Sequence, residues 1–289
     1  MRKRSRQLRQ AGVVLIFAPL LIAARLRFPA DGKAYGSVVD LCERYSVRVF
    51  LINERRSNAG STRLYSLAFQ LHRDSNLPMA LAGLLERIRF FAGDEQTAAE
   101  LRDPRRNWYA KPGHKYFLYQ YELHLLGGAA PLYGFEHFTR GEFRASTTEH
   151  VLPQTPTSEC WRIFSAENRA LYTNCLGNLV LTNDNSVYSN YCFTRKRDGI
   201  TAPNGKTTPR YRTSVLKQEQ ELATFDEWTP AQVRQRQHML AQWAIKRWEL
   251  GPDQPLTTVA ALAVTGEEDL DDDPDTDPML ASNPEDDIN

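Results

Sequence analysis

The chain has 289 residues, of which 42% are hydrophobic and 25% charged, so it has room for one large or two modest domains of ordinary soluble composition. The net charge of +1 hides an uneven distribution: residues 251–289 hold 12 acidic and no basic side chains, while residues 1–250 carry a net charge of +13. This basic body suits a polyanionic partner. From charge alone, a basic soluble protein with an acidic, solubilising tail is the favoured interpretation.

The N-terminal stretch could be mistaken for a targeting or membrane segment. Residues 1–10 carry five basic side chains, and residues 11–24 are almost wholly apolar, an order that resembles a signal peptide. However, this apolar stretch is shorter than the roughly 20 residues that span a bilayer as a helix, and Arg25-Leu26-Arg27 follows in place of a cleavage site. We therefore expect a buried helix over residues 11–28, interrupted at Pro19, and no membrane partner. A membrane-anchored protein is the alternative.

The rest of the first half is predicted to be helical from the spacing of its apolar residues. The predicted helices cover residues 36–53, 62–73, 78–88, 95–101 and 116–126. A polar loop is expected over residues 53–61, and Gly127-Gly128 ends the last of these helices.

Strands and helices are mixed after Gly127. Residues 133–143 are rich in aromatic side chains and are predicted to be extended, and short strands are expected at residues 150–152 and 178–181. Helices are predicted over residues 159–172, with Trp161 and Phe164 facing inward, and over residues 186–196. Thr229-Pro230 is a strong helix start, and this last helix should run to about Leu250.

The cysteines argue against a structural zinc site. None of the four (Cys42, Cys160, Cys175 and Cys192) forms a C-x-x-C pair. We expect four free thiols, buried as small apolar residues, in a reducing compartment such as the cytoplasm.

Two segments point to a specific chemistry. The first is Glu149-His150-Val151-Leu152-Pro153-Gln154. The second is Leu176-Gly177-Asn178-Leu179-Val180-Leu181, followed by Asn185-Ser186 and Asn190. Hydrolysis of a phosphodiester needs a base to activate water and a cation to stabilise charge on the phosphate. An imidazole titrates near neutrality, which makes His150 the candidate base.

The neighbouring residues supply candidate ligands and supports. Glu149 offers a hard oxygen ligand for Mg²⁺ (or Mn²⁺), and Asn185 is the candidate second ligand. Because neighbours on a strand point to opposite faces, the strand must end or twist at Glu149–His150 for both to serve one site. Asn178 could hold the strand pair and orient His150, and Asn190 could steady the loop or contact phosphate.

Each of these residues also has an ordinary structural explanation. A lone histidine near a proline is commonly structural, the preceding glutamate is commonly a surface carboxylate, and asparagines in such contexts commonly serve turns and caps. Their joint occurrence on a strand–loop–strand–helix layout favours a catalytic site.

Basic side chains close to the motif are candidates for contact with nucleic acid. They are Arg195, Lys196, Arg197, Lys206, Arg210 and Arg212, and Tyr188, Tyr191 and Tyr211 are interleaved with them. This mixture suits backbone contact and base stacking. A solvated basic loop is an equally good explanation.

These motifs resemble a known family. Glu-His-Val-Leu-Pro-Gln, then Leu-Gly-Asn-Leu-Val-Leu-Thr-x-x-Asn-Ser-x-x-x-Asn, Phe193 and Lys196, resemble the C-terminal HNH (His-Me finger) domain of the GmrSD-type modification-dependent restriction endonucleases. The closing helix resembles that of the family at Trp228-Thr229, Val233, Arg236, Leu240 and Trp248. The resemblance covers residues 116–250 well and extends weakly into residues 17–71.

The resemblance implies an α+β fold in which a ββα-metal nuclease core is embedded in a mainly helical protein. It implies that His150 is the general base, that Asn178 positions it, and that Glu149 and Asn185 bind a divalent metal. The implied substrate is double-stranded DNA, in the family often with modified cytosine, cleaved in defence against foreign DNA.

The expected organisation is a helical region over residues 1–126, the nuclease domain over 127–250 and a disordered acidic tail over 251–289. The family's larger N-terminal, nucleotide-binding domain is expected to be missing, and no G-x-x-x-x-G-K-[ST] phosphate loop occurs in the sequence. A truncation, a mis-called start codon, or a split gene with a separate N-terminal partner subunit would each account for this. A truncated or inactive nucleic-acid-binding subunit is the alternative to an active nuclease.

Overall fold

A computed structural model describes residues 2–12, 14–140, 147–183, 185–201, 203, 205 and 207–251. The predicted acidic tail and the candidate Lys206 therefore lie outside the described residues, apart from Gly251. The described part is mostly helical, with one small antiparallel sheet of two strands, which is consistent with the predicted α+β class.

The chain divides into two compact units. The first contains the described residues of Met1–Arg9, Val13–Gly93 and Leu250–Asn289, and the second contains Gln10–Gly12 and Asp94–Glu249. This division follows contacts within the chain, whereas the predicted boundary at residues 126 and 127 was placed where the sequence pattern changes from helical to mixed. The predicted domain organisation stays a prediction.

The first unit is helical. Its helices are α1 (Arg2–Ala11), α2 (Ala18–Arg27), α3 (Gly32–Tyr45), α4 (Ser61–Asp74) and α5 (Leu77–Ala92), with a 3₁₀ turn at Leu15–Phe17 and a π-helical continuation of α3 at Ser46–Ile52. The prediction that Pro19 interrupts a helix is wrong. Pro19 lies in the first turn of α2, where its missing N–H costs no hydrogen bond. No helix in the described ranges is long and apolar enough to cross a membrane.

The second unit contains the two strands and seven helices of its own among the described residues. They are α6 (Asp94–Arg102), α7 (His114–Leu125), α8 (Phe135–Thr139), β1 (Thr148–His150), α9 (Ala166–Tyr172), β2 (Leu179–Leu181), α10 (Phe193–Asp198), α11 (Lys217–Leu222) and α12 (Pro230–Arg247). Short 3₁₀ turns lie at Glu159–Ile163, Leu176–Asn178, Asn185–Val187 and Tyr211–Thr213. β1 pairs with β2, so that Glu149 lies opposite Val180 and His150 opposite Leu179.

Four predicted elements of this unit are wrong in detail. The strand predicted at residues 150–152 lies instead at Thr148–His150. The region of residues 133–143 contains the short helix α8, where buried Phe138 packs on the ring of Tyr119; residues 141–143 lie outside the described residues. The predicted helix over residues 159–172 is broken before Ser165, whose side chain caps α9, although Trp161 and Phe164 are buried as expected. The predicted helix over residues 186–196 is a 3₁₀ turn followed by the later helix α10.

Helix α12 supports the start of β2. It begins at Pro230 with a capping box formed by Thr229 and Gln232. It lies so close to the Leu176–Asn178 turn that a Cβ on Gly177 would be 2.3 Å from the carbonyl oxygen of Val233. The buried Arg236 donates from Nη1 to the carbonyl oxygens of Gly177 (2.9 Å) and Leu179 (2.7 Å). The predicted closing helix is therefore confirmed, and it fixes the segment that carries Asn178.

The cysteine prediction is wrong for one pair. Cys160 and Cys192 form a disulfide, whereas Cys42 and Cys175 are free and buried as expected. The segments that carry the bonded pair also meet through the carbonyl oxygen of Asn190, which accepts from the Ser158 hydroxyl at 3.1 Å. The expectation of a reducing compartment depended on four free thiols, and the disulfide leaves only two. A cytoplasmic location therefore stays a prediction.

Candidate active site

The side chains of Glu149 and His150 project from β1 into different surroundings. Glu149 contacts Lys196 and Tyr211, whereas His150 contacts Asn174 and the ring of Tyr109. This is the normal alternation of neighbouring side chains on a strand. The end of β1 at His150 does not bring the carboxylate and the imidazole to one place, as a shared metal site would require.

His150 is held as a neutral imidazole. Its side chain is buried, and burial lowers its pKa to about 4, against the opposing effect of a hydrogen bond to Asn174. Nε2 lies 3.0 Å from Oδ1 of Asn174. Because an amide oxygen only accepts hydrogen bonds, Nε2 carries the proton and Nδ1 carries the lone pair. That lone pair can accept a proton from water.

Two further residues at His150 were missed by the sequence prediction. The ring of the half-buried Tyr109 packs against His150 with a centroid distance of 4.5 Å. His114 accepts from the Thr148 hydroxyl at Nε2 (3.0 Å), and burial lowers its pKa to about 4. Both residues lie more than 30 positions before the motif and belong to no motif, so no local signal identifies them.

Asn178 is completely buried, and its amide makes four hydrogen bonds. Oδ1 accepts from the N–H of Leu152 (2.8 Å) and from Nε1 of Trp228 (3.1 Å), and Nδ2 donates to the carbonyl oxygens of Leu152 (2.9 Å) and Thr173 (2.8 Å). Thr173 directly precedes Asn174, the partner of His150. Asn178 therefore ties the turn after β1 to the segment that orients the imidazole.

Asn185 lies beside β1. Its Nδ2 donates to the carbonyl oxygen of Thr148 at 3.1 Å, two residues before His150. Asn190, by contrast, takes part through its backbone, where its carbonyl oxygen accepts from Ser158 and Trp161. The structure thus brings Asn185 to the strand of the candidate base and places Asn190 on the segment of the disulfide.

The predicted basic residues are largely engaged within the protein. Arg197, Arg210 and Arg212 all donate to Asp198, through its carboxylate or its carbonyl oxygen. The guanidinium of Arg195 lies over the ring of Tyr191. Lys196 is buried and does not lie at a surface where phosphate could reach it.

The predicted metal ligands fit a divalent ion unequally. The donation from Asn185 uses Nδ2 and leaves Oδ1 as the atom that could face a cation. The Glu149 carboxylate does not fit in this arrangement, because the Lys196 ammonium lies 2.6 Å from it. Burial raises the pKa of Glu149 and lowers that of Lys196, and the attraction between them opposes both shifts. The part of the chain that the structure describes holds no cluster of three or more His, Cys, Asp or Glu residues suited to a metal.

The fold and this site define a mainly helical α+β protein with a buried, neutral histidine on a two-stranded sheet. The model of the C-terminal domain of GmrSD restriction endonucleases matches residues 92–243, which is more than half of the chain. The chain belongs to this family, and the family resemblance seen in the sequence is confirmed. The family indicates endonuclease activity, a hydrolase reaction with DNA as substrate. No curated protein matches the chain.

Proposed function

We propose that this protein is a metal-dependent DNA endonuclease of the HNH type, with a ββα-metal core formed by β1, β2 and α10. The observation that carries the proposal is the state of His150. It is neutral, it is oriented by Asn174 through Nε2, and it keeps a lone pair on Nδ1. It lies within the segment that matches the restriction endonuclease domain.

In this reaction His150 accepts a proton from the attacking water. Asn178 acts as a positioning residue, because its four hydrogen bonds fix the backbone on both sides of the His150–Asn174 contact. Mg²⁺ (or Mn²⁺) is the proposed cofactor, which would stabilise negative charge on the phosphate when bound. Asn185 is the predicted ligand that fits it, and Glu149 stays a predicted ligand only for an arrangement in which Lys196 has left the carboxylate.

The proposed substrate is double-stranded DNA, with modified cytosine as the mark of foreign DNA, in a cytoplasmic restriction system with a separate N-terminal, nucleotide-binding subunit. Contacts with the DNA backbone stay predictions for five residues: Asn190, Arg195, Arg197, Lys206 and Arg210.

The alternative is a DNA-binding subunit that is inactive without its partner. It is favoured by one observation, the engagement of the Glu149 carboxylate by Lys196.

A nicking assay separates the two. The purified chain is incubated with supercoiled plasmid, plain or carrying modified cytosine, in Mg²⁺ or Mn²⁺. We expect metal-dependent conversion to open circles. Binding of DNA without cleavage of any substrate in either metal would favour the inactive subunit.

A further inference from the structure

The Lys196 ammonium has a complete set of partners inside the protein. Nζ donates to Oε1 of Glu149 (2.6 Å) and to the carbonyl oxygens of His150 (3.0 Å) and Val151 (3.1 Å). An ammonium has three N–H groups, and these three acceptors account for all of them. Its side chain is 0% exposed. A buried cation of this kind is tolerated because its charge and its donors are both satisfied.

The Glu149 carboxylate is satisfied in the same way. Beside Lys196 it accepts from the Tyr211 hydroxyl at 3.2 Å and from the backbone N–H of His150, and its side chain is 5% exposed. A divalent ion bound here would have to displace the ammonium and leave it buried without a counter-ion, which is strongly unfavourable.

Helix α10 holds Lys196 in place. The residue before this helix, Cys192, is joined to Cys160 by the disulfide. At the start of the helix, the ring of Phe193 stacks on Trp228 with a centroid distance of 5.5 Å. The ammonium therefore arrives at the end of β1 on a fixed element.

We propose that the counter-ion of the Glu149 carboxylate is the Lys196 ammonium and not a divalent metal. Glu149 and Lys196 then act as positioning residues, which fix the backbone from which the His150 side chain projects. Lys196 bonds the carbonyl oxygens of His150 and of Val151, the next residue along the chain. It therefore sets the direction of the imidazole without touching the DNA. The effect of this pair on catalysis by His150 rests on the proposed function, whereas the ion pair between Glu149 and Lys196 does not.

The proposal predicts that a neutral pair of similar shape can replace the charged pair in balancing charge inside the fold, but not in donating to the two carbonyl oxygens. The variants are Glu149→Gln, Lys196→Met and the double variant. Each single variant leaves one buried charge without its partner, so its urea midpoint should fall clearly below that of the wild type. The double variant removes both charges, and its midpoint should recover to above both single variants.

Two catalytic readouts separate positioning from metal binding. The single variants should lose about 100-fold in kcat with KM retained, since a small misplacement of a catalytic group has this effect. The double variant restores the charge balance but not the two donations to the carbonyl oxygens of His150 and Val151, so it should cleave as slowly as Lys196→Met, with half-maximal cleavage at the wild-type Mg²⁺ concentration. A double variant that cleaves at the wild-type rate, or that needs far more Mg²⁺, would overturn the proposal.

A third readout does not depend on activity. A metal that binds the folded state raises the melting temperature, so melting is measured with and without Mg²⁺ in the absence of DNA. We expect the same Mg²⁺-induced change, or the same lack of change, in the wild type and the double variant. An increase that is present in the wild type and lost in the double variant would make Glu149 the ligand and overturn the proposal.

The exposed pair Glu159–Arg162, with side chains 81% and 77% exposed, provides a matched control. Glu159→Gln with Arg162→Met should leave the urea midpoint and cleavage unchanged, because exposed pairs contribute little. If the wild type cleaves no DNA, the proposed function fails, and the urea and Mg²⁺ melting experiments still decide the pairing.

Discussion

Asn178→Ala should be among the most destabilising substitutions in the second unit. It removes four hydrogen bonds from a side chain that is 0% exposed. Each buried partner left unpaired costs about 1–3 kcal/mol, so even the lower figure gives a loss of about 4 kcal/mol. That is a large fraction of the roughly 5–15 kcal/mol by which a typical domain is stable.

Urea unfolding followed by tryptophan fluorescence measures this loss, because Trp228 donates directly to Asn178. Asn190→Ala is the matched control from the same motif. The contacts of Asn190 with Ser158 and Trp161 go through its carbonyl oxygen, which an alanine keeps, so it should cost less than about 0.5 kcal/mol. A loss below about 1.5 kcal/mol for Asn178→Ala, or equal losses for the two variants, would refute the reasoning.

Three further predictions concern the same unit. Gly177→Ala should lower the free energy of unfolding by about 3 kcal/mol, since the added Cβ would lie 2.3 Å from the Val233 carbonyl oxygen; a urea midpoint equal to that of the wild type would be inconsistent with this contact. Replacing both Cys160 and Cys192 by alanine should cost about 3–4 kcal/mol, because their bond spans 32 residues; four thiols titrating in denaturant without reductant would show that no bond forms. Burial lowers the pKa of His114 from 6.5 to about 4, so the unfolded chain binds a proton that the folded chain does not, and stability should fall as pH drops from about 6.5 towards 4. His114→Asn should show a smaller fall in urea midpoint between pH 7.5 and pH 5, and an identical fall would contradict the assignment.

Local sequence signals predicted the helices of the first half and the start of α12 well. The capping residues Thr229 and Pro230 act on their own helix, so the start of α12 could be placed to the residue. The apolar spacing of the first half depends only on neighbours along the chain, and α3 to α7 appear close to the predicted bounds.

The failures lie where distant contacts decide the structure. The partner of Glu149 is Lys196, 47 residues away, and no local pattern shows that a buried ammonium takes the position expected for a metal. The same holds for Tyr109 beside His150. The motif pointed to His150 as the proposed base and to Asn178 as the residue proposed to position it, but the surroundings of each side chain depend on how distant segments pack.

The central claim is that His150 is the base of a DNA-cleaving site. The most direct measurement is the single-turnover nicking rate in Mg²⁺ of the wild type, His150→Ala and the exposed-histidine control His238→Ala, with each protein shown to be folded by circular dichroism. Loss of a general base should slow cleavage by about 10²–10⁴-fold, while His238→Ala should cleave at the wild-type rate. A folded His150→Ala protein that nicks DNA as fast as the wild type would contradict the account.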